Sequence, residues 1–141
     1  MKLIKGSQEE KQSFFHWGFQ IFDKWLQIKN GGRALTEYFE DNEIHNVAIY
    51  GLGAIGRRLL EELRQGQVEV LYGIDRNAAG ISIEGLELKT LGGNLPKVDA
   101  IVVTPIAFYD IQRDIYRSMG KDVDVIFIEE LLEYCMGKDM P

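Results

Sequence analysis

One cysteine, Cys135, and two histidines, His16 and His45, are the whole supply of these side chains in 141 residues. A single thiol excludes an internal disulfide, and two histidines far apart in sequence give no metal-ligand spacing. Basic residues are in deficit: 16 Lys and Arg stand against 22 Asp and Glu, a formal net charge of −6 and a pI near 4.9. A chain of that sign repels phosphate polymers, which sets nucleic-acid binding aside. No apolar run reaches the ~18 residues of a membrane span, and Met1-Lys-Leu-Ile-Lys-Gly-Ser is not followed by a signal-peptide core. The expectation is a cytoplasmic protein without membrane contact. Hydrophobic residues at 45% and charged residues at 27% are ordinary for a globular chain of about one domain.

Proline and glycine are nearly missing from Ser7 to Ile28, where Phe15, Phe19, Phe22 and Leu26 fall at i, i+4, i+7 and i+11, one face of a helix. Phe14, Trp17, Ile21, Trp25 and Ile28 widen that face over most of the circumference, so the helix needs more than one packing partner. Asn30-Gly31-Gly32 ends it, and Arg33 to about Asn42 reads as a shorter helix with Leu35, Tyr38 and Phe39 inward. Residues 1–45 thus form a helical extension to a unit covering 46–141.

In that unit strands and helices alternate. Strands are expected at 47–50, 68–74, 98–104 and 123–128, with a short extended edge segment in the glycine-rich stretch before Leu95. Helices are expected at 55–64, 109–119 and 129–136. The fold class is α/β, an open parallel sheet of about five strands in the order 3-2-1-4-5, with an N-terminal helical extension.

The first strand of the unit runs into Gly51-Leu-Gly53-Ala54-Ile55-Gly56, and Asp75 ends the next strand nineteen residues beyond Gly56. In a dinucleotide-binding turn each part has a physical task. Gly51 permits the tight turn, Gly53 lets the backbone approach a pyrophosphate, and Gly56 lets the helix pack close to the strand. The unpaired amides at Ala54 and Ile55 then face the anion. Asp75 is placed to accept hydrogen bonds from ribose hydroxyls and repels a 2′-phosphate, while the neighbouring Arg76 is able to stack on adenine or pair with phosphate. Thr104, before Pro105, ends the strand beside the first and is a candidate contact to ribose or nicotinamide. Each has a plainer reading: the glycines as helix-strand packing, Asp75 as a turn cap, Thr104 as a strand terminator. Arg57 and Arg58 either face an anion or pair with Glu61 and Glu62 at i+4.

Catalytic candidates are few. Tyr134-Cys-Met-Gly-Lys138 has the Tyr-x-x-x-Lys spacing of short-chain dehydrogenases, but Gly137 interrupts the helix that should hold the pair. Cys135 reads as a packed thiol, and His16 and His45 as partly buried polar contacts. No residue is assigned a catalytic role and none a metal.

With the glycine turn, Tyr72-Gly-Ile-Asp75-Arg-Asn77, Gly80-Ile-Ser-Ile-Glu-Gly85, Asp99-Ala-Ile-Val-Val-Thr104 and Ile128-Glu-Glu-Leu-Leu132, residues 46–134 resemble small NAD(P)- or CoA-binding Rossmann domains of redox-sensing repressors and CoA-binding proteins. They are also similar to nucleotide-binding domains attached to bacterial glycosyltransferases and sugar-modifying enzymes of surface-polysaccharide synthesis. The resemblance implies nucleotide binding without redox chemistry, with Gly51, Gly53, Gly56, Asp75 and Thr104 as binding positions. The basic DNA-binding half of the repressors and the substrate domain of dehydrogenases have no counterpart. The expected function is an accessory or sensing domain that binds NAD(H), linked to polysaccharide or nucleotide-sugar metabolism. The alternatives are a minimal oxidoreductase or nucleotide-sugar-modifying enzyme completed by a partner, a CoA-binding module, or an interaction module whose crevice is plugged by Leu52, Arg57 or Tyr109. The aromatic helix is expected to complete the domain core and make a homodimer, or to dock on a larger enzyme.

Overall fold

Residues 8–106 and 109–137, less the side chains of residues 8–11 and 109, are described by a computed structural model of the chain. Helix α1 (Gln8–Asn30) ends where glycine allows a left-handed residue: Gly32 takes φ 80°, its amide bonds Lys29 O at 3.0 Å, and Arg33 N reaches Ile28 O at 3.0 Å. This pair of bonds is a Schellman closure, which satisfies carbonyls the helix end leaves open. Helix α2 (Thr36–Asp41) closes in the same pattern through Glu43 N to Glu40 O and Ile44 N to Phe39 O, but with glutamate at φ 55°.

Strand and helix then alternate as β1 (Asn46–Tyr50), α3 (Ala54–Leu63), β2 (Glu69–Ile74), a 3-10 turn at Ala78–Gly80, β3 (Leu88–Lys89), β4 (Ala100–Val103), α4 (Tyr109–Met119), β5 (Asp124–Phe127) and α5 (Ile128–Gly137). All five strands are parallel in the order β3-β2-β1-β4-β5, the expected order. Tyr50 at the end of β1 lies opposite Ile74 on one side and Val103 on the other, so the chain leaves the sheet centre between two neighbouring strand ends. A switch of direction at this place opens a crevice in a doubly wound sheet.

Alternate residues of the buried strands serve opposite faces. Val47, Ile49, Ala100, Val102 and Ile126 join α1, α2, α3 and α5 in one core, and Ala48, Tyr72, Ile74, Ile101 and Val103 join Ile115 of α4 in the other. Residues 90–97, which link β3 to β4, form no helix. Leu91 and Leu95 pack on the second core instead, and Tyr72 Oη donates to Pro96 O at 2.6 Å.

The extension over 1–45 shares the first core with the sheet, since Ile21, Trp25, Ile28, Leu35 and Phe39 belong to the same cluster as Val47 and Ile49. Glu62, expected at the surface beside an arginine, is instead buried and fastens the extension to α3. It accepts Trp25 Nε1 at 2.8 Å and the Leu35 amide, with Lys29 Nζ at 3.5 Å. The inward face of α1 is therefore Ile21, Trp25 and Ile28, set by indole and backbone partners as well as by apolar burial. Phe15, Phe19 and Leu26, on the other apolar stripe, are 76, 68 and 59% exposed.

Candidate functional site

The glycine turn is built by close packing on two sides and left open on the third. Gly51 takes φ 92°, and a Cβ there would lie 2.7 Å from Thr104 Oγ1 and 2.8 Å from Pro105 Cδ. A Cβ on Gly56 would lie 1.9 Å from Gly51 O, so only glycine lets α3 start this close to β1. A Cβ on Gly53 would meet nothing within 4 Å. Gly53 is also the N-cap of α3, with no side-chain cap, so the first amides of the helix, at Ala54 and Ile55, have no cap to satisfy them.

The strand ends tie the turn in place. Gly51 N donates to Ile74 O at 2.8 Å, and Thr104 N to Tyr50 O at 3.0 Å. Thr104 is 3% exposed, and its hydroxyl lies 2.8 Å from Gly51 O and 3.0 Å from Tyr50 O, so it braces the turn from behind. Asp75 Oδ2 accepts the Leu52 amide at 2.9 Å, and Oδ1 accepts the Asn77 amide at 2.9 Å. The carboxylate thus caps its own turn and holds the glycine loop, and its second lone pairs remain as acceptors.

In front of this framework lies a crevice of about 340 Å³, lined by Phe14, Tyr50, Gly51, Asp75, Arg76, Pro105, Ile106 and Ile111. Its floor is the end of β1, and its walls are the ends of β2 and β4 and the first turn of α4. Phe14 of α1 overhangs it. Sequence reasoning put Phe14 on a helix face and had no signal for this position, which depends on how far α1 projects past the strand ends. Leu52 turns away from the crevice: it is buried in the first core, its side chain over Gly73. Arg57 folds back, Nε donating to Leu52 O at 3.0 Å. The Tyr109 side chain lies outside the described residues. Arg58 is exposed and pairs with Glu61 at 2.9 Å and i+3 spacing, in place of the expected i+4 pairs.

The other candidates lie elsewhere. Tyr134 Oη donates to Asp41 Oδ2 at 2.6 Å, and its ring meets Tyr38 edge-on at 5.0 Å, while Lys138 lies outside the described residues. Cys135 is fully buried, Sγ 3.8 Å from Ala34 O. His16 and His45 are both exposed, not half-buried as expected, because α1 turns His16 away from its packed face and His45 precedes the first strand. Among the described residues no cluster of His, Cys, Asp and Glu is placed to hold a metal ion, and no helix is long and apolar enough to cross a membrane. No protein-family model, curated protein or solved structure matches the chain.

Proposed function

We propose that the chain is a Rossmann-type nucleotide-binding module, with NAD(H) the favoured ligand, acting as an accessory or sensing domain. A surface-polysaccharide or nucleotide-sugar enzyme is the setting we assign to it. The observation that carries this reading is Gly53. Packing inside the chain accounts for Gly51 and Gly56 but not for Gly53, whose open side faces outward at an uncapped helix start. A glycine there has a use if an anion comes close to the backbone, with the amides of Ala54 and Ile55 donating to it. Asp75 lies within the same crevice and offers acceptors to an unphosphorylated ribose, and Tyr50, Ile106 and Ile111 supply the apolar walls that bases and nicotinamide rings require.

NAD, when bound, brings a nicotinamide able to exchange a hydride. The chain's own part is to hold and orient: Asp75, itself fixed by the Leu52 and Asn77 amides, offers its remaining lone pairs as acceptors. Arg76 at the crevice favours CoA as the second ligand, because a guanidinium pairs with a ribose phosphate.

Isothermal titration of the full chain with NAD, NADH, NADP, CoA and nucleotide sugars tests the reading, with Gly53→Ala as the control. The variant folds, its N-cap change costing up to about 1 kcal/mol, and binds the preferred nucleotide at least about tenfold more weakly, about 1.4 kcal/mol. Heat from none of these ligands ends the reading. Equal affinity in the variant removes the glycine turn from it.

A further inference from the structure

We propose that α1 pairs with α1 of a second copy, antiparallel across a two-fold axis, through Phe15, Phe19, Phe22 and Leu26. The first support is exposure: Phe15, Phe19 and Leu26 stand 76, 68 and 59% exposed in one row, and Phe22, half-buried, is held by stacking on Trp25 at 5.9 Å and 14°. Single exposed hydrophobics are common on proteins, whereas a contiguous row marks an interaction surface.

Sequence spacing selects the occupant. The steps along the row are four, three and four residues, a short stretch of the seam by which helices interlock. That series reads the same in both directions, so an antiparallel copy sets Phe15 opposite Leu26 of the second copy and Phe19 opposite Phe22 of the second copy, and every contact is made twice. A two-fold interface must be self-complementary in this way.

Charge points the same way. Between Gln12 and Ile28 the only charged residues are Asp23 and Lys24, of opposite sign, in a chain of net charge −6. Two copies repel over most of their surface and do not repel here. Gly18 borders the row, and a Cβ there would meet nothing within 4 Å. Glycine weakens a helix interior, and packing within the chain gives no reason for it, whereas a second helix approaching at close range does.

The area suffices. With about 200 Å² for a fully exposed aromatic ring, the row offers roughly 400 Å² of apolar surface per copy. A groove of about 280 Å³ beside it, between α1 and α3 and bordered by Phe22, Leu26, Arg58 and Glu61, receives Phe15 of the second copy. Two rows make about 800 Å² in total, and the groove walls from Arg58 and Glu61 add to it, an area at the low end of specific interfaces that suits a dimer of micromolar strength.

Sedimentation equilibrium of the full chain across the micromolar range is the test, and it stands apart from nucleotide binding because it needs no ligand. The expected result is a dimer with a dissociation constant in the micromolar range or below. Phe15→Asp and Phe19→Asp, at exposed positions, keep the circular dichroism of the parent and sediment as monomers. A monomer at every concentration overturns the proposal and leaves the row to a different protein. Aspartate variants that remain dimeric overturn it as well, by placing the interface elsewhere.

Discussion

Glu62→Ala should be among the most damaging substitutions of a charged residue in this protein. Glu62 is 8% exposed and accepts from Trp25 Nε1, in a residue 6% exposed, and from the amide of Leu35, fully buried. Alanine strands both donors in a space apolar on most sides, at about 1–3 kcal/mol for each. The whole loss is about 3–5 kcal/mol, a large part of the ~5–15 kcal/mol that holds a domain together. For a chain of this size it lowers the melting temperature by on the order of 10 °C. Glu62→Gln keeps the volume and one acceptor oxygen but turns an NH2 group toward the other donor, for about 1–3 kcal/mol. Lys29→Met removes an ion pair at 3.5 Å from a lysine side chain 40% exposed, worth at most about 1 kcal/mol and less in salt. Urea unfolding, followed by tryptophan fluorescence and far-ultraviolet circular dichroism at one ionic strength, gives all three values. An order other than Ala, Gln, Met refutes the reasoning, as does a Gln variant within about 0.5 kcal/mol of the parent.

Gly56→Ala drives a methyl group to within 1.9 Å of Gly51 O, so the protein is destabilised by about 3 kcal/mol or more or fails to accumulate folded, as thermal melting will report. Glu43→Gly relieves a left-handed glutamate at φ 55°; after the entropy that glycine adds to the unfolded chain, the net gain is about 0.5 kcal/mol, read as a rise in the urea midpoint at unchanged slope. Burial raises the phenol pKa of Tyr72, and burial followed by the charges of Glu130 and Asp124 raises that of Tyr38. The folded state then keeps protons that the unfolded chain releases, so stability falls as pH rises beyond about 10. Ultraviolet titration should place Tyr38 and Tyr72 among the late-ionising tyrosines, and titration of both at the ordinary value contradicts this.

The sheet order, the helix positions and the glycine turn were legible because they depend on local signals: a period of 3.6 or 2, a glycine at a left-handed position, an apolar strand bounded by turn residues. The choice of face on α1 was not. Both Phe15-Phe19-Leu26 and Ile21-Trp25-Ile28 are apolar stripes, and what decides between them is a carboxylate on α3 that bonds an indole 37 residues away in sequence. Glu62 itself looked like a surface partner for an arginine, because helical spacing says where a side chain projects but not what lies there. At the crevice, Asp75 was identified by position, while its bonds to the Leu52 and Asn77 amides depend on how closely β2 and the glycine loop approach. Thr104 was read as a ligand contact or a strand terminator, and its bonds to the carbonyls of Tyr50 and Gly51 depend on how closely the ends of β1 and β4 approach.

Helix α1 packs on α5, and Trp17 Nε1 donates to Glu129 Oε2 at 3.0 Å across 112 residues of sequence. Of the described helices, the one that leaves the ribosome first is therefore covered by the one that leaves last. During synthesis Trp17 and the face of α1 that packs on α5 stay uncovered until β5 and α5 have emerged, and a domain folds as a unit only once such a late element is present. The time for which a nascent chain is exposed to chaperones and to aggregation is thus set by the translation of everything between α1 and α5, and slowing elongation ahead of α5 lengthens it.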